Sequence, residues 1–343
     1  MNTNRPEEVP ETAVRLAFWL PWIALGATMA IVAVVGAPSR TYQLLPFAAS
    51  IVLFGLPHGA VDHLTPPWAR AEPPTWRWFG IVAGLYLVVG LAYTVGWFLA
   101  PVAAFVFFIL LTWFHWGQGE LFPLLRVAEA THLDSRLSRV LTLVVRGSLP
   151  MVVPLIAFPT EYRWVAEQLI GLFATPEWGA MEVVFTPSGR AAIAAGLGVL
   201  FVVSLAVSYP RSGSRRSWAV DAGEVGVLSL FFLTVPPLLA VGIYFCFWHA
   251  IRHIVRLMLL DETASARLAE GSTLGALGRF GWVAAPLTIV SLGVFVGLAV
   301  TAPAFTGDYS GLFALYLVGI AVMTAPHVVI VSWLDREESI WTP

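Results

Sequence analysis

Residues 237–260 read PLLAVGIYFCFWHAIRHIVRLMLL. An apolar run of this length is what a helix needs to cross the roughly 30 Å hydrocarbon core of a bilayer. A chain in lipid must satisfy its own backbone groups, so the run is read as a helix. Toward its end stand His249 and His253, with Arg252 and Arg256 beside them. Positions i and i+4 share a helix face, so both imidazoles address one point. Ionisable groups are costly inside a membrane and are functional candidates there.

The rest of the chain repeats the apolar part of that pattern. Of its 343 residues 58% are hydrophobic and 12% charged, with a mean hydropathy of +0.79. Soluble domains carry about 25% charged residues. A transmembrane barrel would show short alternating segments instead of long runs. The sequence therefore predicts an all-α polytopic membrane protein of about ten spans. They are placed near 14–36, 43–62, 78–99, 101–117, 137–157, 189–209, 219–235, 237–260, 280–301 and 311–333. Proline at Ala100-Pro101 and Pro236-Pro237 suits tight joints between helices. Residues 1–343 read as one integral membrane domain, with a polar tail at 1–13 (Glu7, Glu8, Glu11) and an interfacial outer loop at 158–188. The first apolar run is too long for the core of a signal peptide and reads as an uncleaved span. Net charge is −2, which gives no footprint for nucleic acid. The single cysteine, Cys246, excludes an internal disulfide and a cysteine-based zinc or iron–sulfur site.

All 19 basic residues are arginine, and their distribution sets the orientation. With the N-terminus inside, inner segments hold Arg5, Arg70, Arg77, Arg126, Arg136, Arg211, Arg215, Arg216, Arg267, Arg279 and Arg336. Outer segments hold Arg40 and Arg163, with Arg190 at a helix edge. The bias predicts both termini inside and an even number of spans in the inner (plasma) membrane.

Six of the seven histidines fall on the second, fourth, eighth and tenth spans, all running from outside to inside in this topology. Counted at 1.5 Å per residue, His58, His115, His253 and His327 lie roughly 22–26 Å from the outer surface, with His249 one turn shallower. One histidine in a helix is usually a hydrogen-bonded core residue. Six in one layer, including an i,i+4 pair, point to a metal site. Imidazole-only ligands suit iron, copper, nickel or zinc. An all-histidine site with open positions in an apolar cavity suggests non-haem Fe(2+) and O2 chemistry. His132 lies in a loop near Glu129 and Asp134 and reads as a solvated surface residue.

Three further stretches refine the layer. GLPHGAVDHL (55–64) holds His58, Asp62 and His63; Asp62 can accept the second ring N–H of a ligand. His63 is about 140° away from His58 on an ideal helix, so the two do not bind one ion together. WFHWGQGELF (113–122) sets His115 among aromatic residues ahead of Glu120. APHVVIVSW (325–333) carries His327, read as a donor behind the ligands. Arg146, Asp221 and Glu224 are charges within spans: either a structural ion pair such as Arg146 with Glu224, or groups that orient ligand imidazoles.

GLPHGAVDH, WFHWGQGE and FWHAIRHIVRL, in this order, resemble the Brp/Blh family of carotenoid-cleaving membrane enzymes. The resemblance covers the second to tenth spans, while residues 1–40 match nothing assignable. It implies a β-carotene 15,15′-dioxygenase that cuts its substrate at the central double bond with O2, giving two molecules of retinal at an iron centre. It implies His58, His115, His249 and His253 as the iron ligands, and ranks His63 and His327 lower. Asp62, His63, Glu120, Arg146, Glu224 and His327 are then expected behind the ligands. Trp113, Phe114, Phe245, Phe247 and Trp248 are expected to wall a dry substrate cavity. With the iron toward the inner leaflet and the cut at the middle of a long polyene, a tunnel oblique or parallel to the membrane is expected, opening sideways into lipid. A microbial rhodopsin is the retinal acceptor the resemblance suggests. The alternatives are a non-catalytic carotenoid or retinal carrier, a di-iron hydroxylase or desaturase, and a haem-binding electron carrier. Di-iron chemistry typically draws on more histidines and on adjacent pairs, which this chain lacks.

Overall fold

The computed structural model describes residues 9–209 and 215–342. Glu7, Glu8, Arg5 and Arg211 lie outside the described residues, as does part of the polar tail. Among the described residues there is no strand, and ten helices are long and apolar enough to span a bilayer. In order they are Glu11–Val35, Arg40–Ala60, Trp76–Leu99, Pro101–Val127, Arg136–Ala157, Pro187–Ser208, Ser217–Thr234, Pro237–Leu260, Thr273–Thr301 and Tyr309–Glu337. This is an all-α multi-pass membrane protein.

Local chemistry sets the helix starts. Pro101, Pro187 and Pro237 occupy first-turn positions, where the missing N–H costs nothing. Ser135 and Ser138 form a reciprocal capping box at the fifth span. Asp308 accepts from the Gly311 N–H (2.7 Å) at the tenth, a contact that holds its carboxyl below the usual carboxylate range.

Burial separates inner from outer helices. The most apolar 18-residue windows of the fifth, eighth and tenth spans are 72%, 78% and 72% buried, against 11% in the sixth and ninth. The fourth and fifth spans approach backbone to backbone. A Cβ at Gly117 would lie 2.0 Å from the Leu143 carbonyl oxygen, and one at Gly147 would lie 2.0 Å from that of Trp113. Only glycine admits this contact, the small-residue packing common between membrane helices.

Two helices depart from the regularity expected of them. The second span is interrupted by turns at 51–54, between Leu45–Ser50 and Gly55–Ala60. The buried Ser50 hydroxyl pairs with Tyr316, and the Phe54 carbonyl accepts from His58 Nδ1 at 3.2 Å. Ser50 and Gly55 on either side of the turns are buried, while Val52 and Leu53 within them face outward. In the eighth span Phe245–Ala250 winds as a π-helix carrying His249. Such wide turns recur at functional sites. Residues 158–188 hold a helix at Pro159–Gly171 and a 3-10 turn at Gly179–Phe185. The segment between the eighth and ninth spans holds a short helix, Glu262–Ala269, that the hydrophobic pattern does not reveal.

A buried ion network centred on Arg146 and Arg252 ties the fourth, fifth, seventh and eighth spans together. Arg146 meets Glu120 at 2.6 Å and Glu224 at 2.8 Å and also pairs with Asp221. Arg252 meets Glu120 at 2.8 Å and Glu224 at 2.6 Å, and Arg256 pairs with Asp335 and Glu338. Indole N–H groups finish the job: Trp248 donates to Glu120 and Trp22 to Glu224. His132 corrects its reading as a solvated residue. It is fully buried and donates from Nε2 to Asp221 (2.9 Å), because its loop folds onto the seventh span. Removing one partner of a buried pair strands the others. Arg146→Leu is therefore expected to lower stability by about 3–5 kcal/mol, read as a fall in the unfolding midpoint of the detergent-solubilised protein.

Candidate metal centre

Five imidazoles converge between the second, fourth, eighth and tenth spans. The His58 ring centroid lies 5.7 Å from that of His249, 5.6 Å from His253 and 5.1 Å from His327. His115 lies 4.7 Å from His249 and 4.9 Å from His327, and His253 lies 5.2 Å from His327. All five are buried. His249 and His253 both face the same partner, as their spacing predicts, across the π-helical turn.

One ring nitrogen from each of His58, His115 and His327 lies within 4.8 Å of the other two. His249 Nε2 approaches His115 Nε2 to 3.1 Å. Two nitrogens bound at adjacent positions of one ion, each at about 2.0–2.1 Å, would stand roughly 3 Å apart.

Hydrogen bonding decides which ring atom faces inward. His58 donates from Nδ1 to the Phe54 carbonyl, which leaves Nε2 free. His327 donates from Nδ1 to Asp62 at 2.8 and 3.0 Å, and its buried Nε2 has no partner. His253 Nε2, His115 Nδ1 and His249 Nδ1 are buried without partners as well. Each such atom costs about 1–3 kcal/mol if nothing binds it. The unpaired Nε2 atoms of His253 and His327 and the close pair of His115 and His249 Nε2 atoms fit a first-row transition metal. Gly119 supplies room for the cluster: a Cβ there would press on the His249 ring at 3.1 Å. Its place one turn beyond His115, in a WGQG run, is the only sign of this in the sequence.

The remaining expected positions sort by contact. Asp62 bonds an imidazole of the cluster, but that of His327, on another span, and not the His58 ring beside it in sequence. His63 lies apart, its ring on Phe79 at 5.9 Å. Glu120, Arg146 and Glu224 bond one another, Arg252 and indoles, so the structural ion network, not the orientation of imidazoles, describes their contacts. His327 stands within the group of converging nitrogens instead of behind it.

A largely apolar cavity opens on the histidines, with about 1280 Å³ of empty space including its mouths. It rises along the helix axes, from His249 to Pro237 on the eighth span and from His327 to Phe313 on the tenth. At about 1.5 Å per residue these are climbs of roughly 18 and 21 Å. Tyr162, Val165 and Leu169 of the helix Pro159–Gly171 line its far end, and Tyr86 and Ser291 line it from the third and ninth spans. The tunnel expected to lie oblique or parallel to the membrane has a long limb that follows the span axes. The void follows the facing sides of the eighth and tenth spans as far as Pro159–Gly171, which packs against the fourth, fifth and tenth spans at that end.

Of the aromatic residues expected in the wall, Phe245 alone lines it. Phe114 is 40% exposed on the outer surface. Trp113 donates to the Val144 carbonyl, Phe247 packs edge-on against Phe54, and Trp248 lies beneath Arg252. Trp116, stacked on Phe245, takes a wall position instead. Composition does not distinguish aromatic side chains facing lipid, core or cavity.

Two curated relatives from Halobacterium salinarum match nearly the whole chain. One, named probable beta-carotene 15,15'-dioxygenase Blh, is 43% identical over 96% of this chain and 95% of its own. Another, named probable beta-carotene 15,15'-dioxygenase Brp, is 28% identical over 97% of this chain and 94% of its own. Coverage of this extent reaches into residues 1–40, where the motifs alone find no likeness. No solved structure matches the chain. The family model described as beta-carotene 15,15'-dioxygenase matches residues 49–335, which include all five clustered histidines, and the chain belongs to that family.

Proposed function

We propose that this protein is a membrane dioxygenase that cleaves β-carotene at its central double bond, consuming one O2 and releasing two retinal molecules. The observation that carries the reading is the set of buried, unpartnered imidazole nitrogens at the end of an apolar cavity. We infer Fe(2+) as the metal, held by His58, His115 and His327 with His249 beside His115, and with His253 completing the ring of imidazoles. Ferrous iron would supply the redox chemistry through which O2 and the polyene react.

The protein's own part is binding and exclusion. Phe108, Ile109, Val241 and Phe245 give a polyene an apolar wall. Pro159–Gly171 closes the far end of the long limb, and dry surroundings keep water from the site. One half of the substrate would occupy the limb above the histidines. The other half would pass toward Tyr86 and Ser291, so that the central bond lies at the cluster. No acid or base is assigned, since the balanced reaction neither gains nor loses a proton.

The arginine-rich end of the bundle supports a cytoplasmic placement of both termini in the inner membrane. A microbial rhodopsin is the retinal acceptor that the family resemblance suggests. The carrier alternative shares the cavity but needs no metal. The test is expression in cells that accumulate β-carotene. Loss of orange colour with retinal as the product is the expected result; unchanged β-carotene at full expression would refute the dioxygenase reading.

A further inference from the structure

Tyr86 and Asp62 belong to neither the ion network nor the ring of imidazoles, yet both are committed to one histidine. The Tyr86 hydroxyl donates to Asp62 Oδ2 at 2.6 Å. Asp62 is 2% exposed, and both of its oxygens accept from His327 Nδ1. The three residues come from three places: the third span, the turn following His58, and the tenth span. The chain Tyr86–Asp62–His327 therefore crosses from the cavity wall to the cluster.

We propose that Asp62 and Tyr86 are positioning residues that make His327 a metal ligand, a role that goes beyond the four imidazoles the family resemblance implies. The inference rests on the metal-centre reading above. A carboxylate can only accept, so Asp62 fixes the proton on Nδ1 and leaves the Nε2 lone pair facing His58 and His115. Its bidentate grip also stops rotation of the ring. Its negative charge increases the basicity of Nε2 and offsets part of the charge a divalent ion would bring among neutral imidazoles. Tyr86 removes the freedom of the carboxylate in turn. With its hydroxyl turned onto Asp62, it shows the cavity an apolar ring. Asp62 also follows His58 closely in the chain, so one short turn sets the His58 backbone and braces the His327 ring across the site.

The full-length protein in detergent, loaded with ferrous iron, provides the test. Iron affinity is measured by competition with a chelator, and the visible spectrum of the cobalt(II)-substituted protein reports the ligand field. Asp62→Ala is expected to weaken iron binding about 10–100-fold and to shift the cobalt bands. Tyr86→Phe, which removes one hydroxyl only, is expected to weaken it several-fold with a smaller shift in the same direction. Asp62→Asn keeps an acceptor and should restore part of the loss. If Asp62→Ala does not fold, Tyr86→Phe and Asp62→Asn carry the test. Unchanged affinity and spectrum in these variants, with only a lower unfolding midpoint, would overturn the proposal and leave the contact structural. Wild-type protein that binds iron but makes no retinal would refute the dioxygenase reading while leaving the brace open to the same measurement.

Discussion

Replacing His58 or His115 with alanine is expected to abolish retinal formation and to weaken iron binding by more than about a hundredfold, beyond the loss typical of outer hydrogen-bond partners. Both belong to the tight group of nitrogens: His58 faces His249, His253 and His327, and His115 faces His327 and brings its Nε2 to 3.1 Å from that of His249. Deleting either removes a nitrogen from the tight group and opens a cavity beside the others. His132→Ala is the internal comparison. That ring is bonded to Asp221 in the ion network, so its loss should lower stability while leaving iron per folded chain unchanged. Product chromatography and metal analysis on the same preparations separate the two outcomes.

The second large effect separates substrate access from metal binding. Thr112 lines the cavity one turn before His115, and it is buried. Thr112→Trp would project an indole into the cavity while leaving every histidine of the cluster in the chain. The expected outcome is a loss of at least about tenfold in retinal formation, the scale at which misplacing a substrate lowers rate, with iron content unchanged. Thr112→Val, close to threonine in volume, should retain activity. Loss of iron along with activity in the tryptophan variant would show that the limb is part of the metal scaffold and not a substrate passage.

The ten spans were legible because lipid imposes one rule on every residue that crosses it, and apolar runs of about twenty residues obey it visibly. The histidine layer was legible for the same reason, since depth follows from counting along a helix. Ring direction was not. His327 sits at the right depth, but only its bond to Asp62 reveals that Nε2 faces the cluster. The turns at 51–54 and the π-helical stretch Phe245–Ala250 leave no mark in the hydrophobic pattern, and neither does the bond of Ser50, just before the turns, to Tyr316 on a distant span. His132 misleads because polar neighbours in a short loop look solvated, whereas a buried carboxylate on another helix claims its ring. The wall aromatics fail on similar grounds. Trp113 and Phe114 are adjacent in sequence, yet one packs inside the bundle and the other turns outward.

The ion network and the cluster divide the polar interior between them. Arg146, Arg252, Glu120, Glu224 and Asp221 satisfy one another, which relieves a cost that each would carry alone in the membrane. Four of the imidazoles each keep a buried nitrogen without a partner, and that contrast supports the proposal that something else binds there.

The most direct test is reconstitution of purified, metal-stripped protein with β-carotene and O2. Ferrous iron added back to one equivalent is predicted to restore cleavage, with two retinal molecules formed for each β-carotene consumed and none before the addition. Retinal formed equally well without metal, or iron that fails to bind the wild-type chain, would contradict the account.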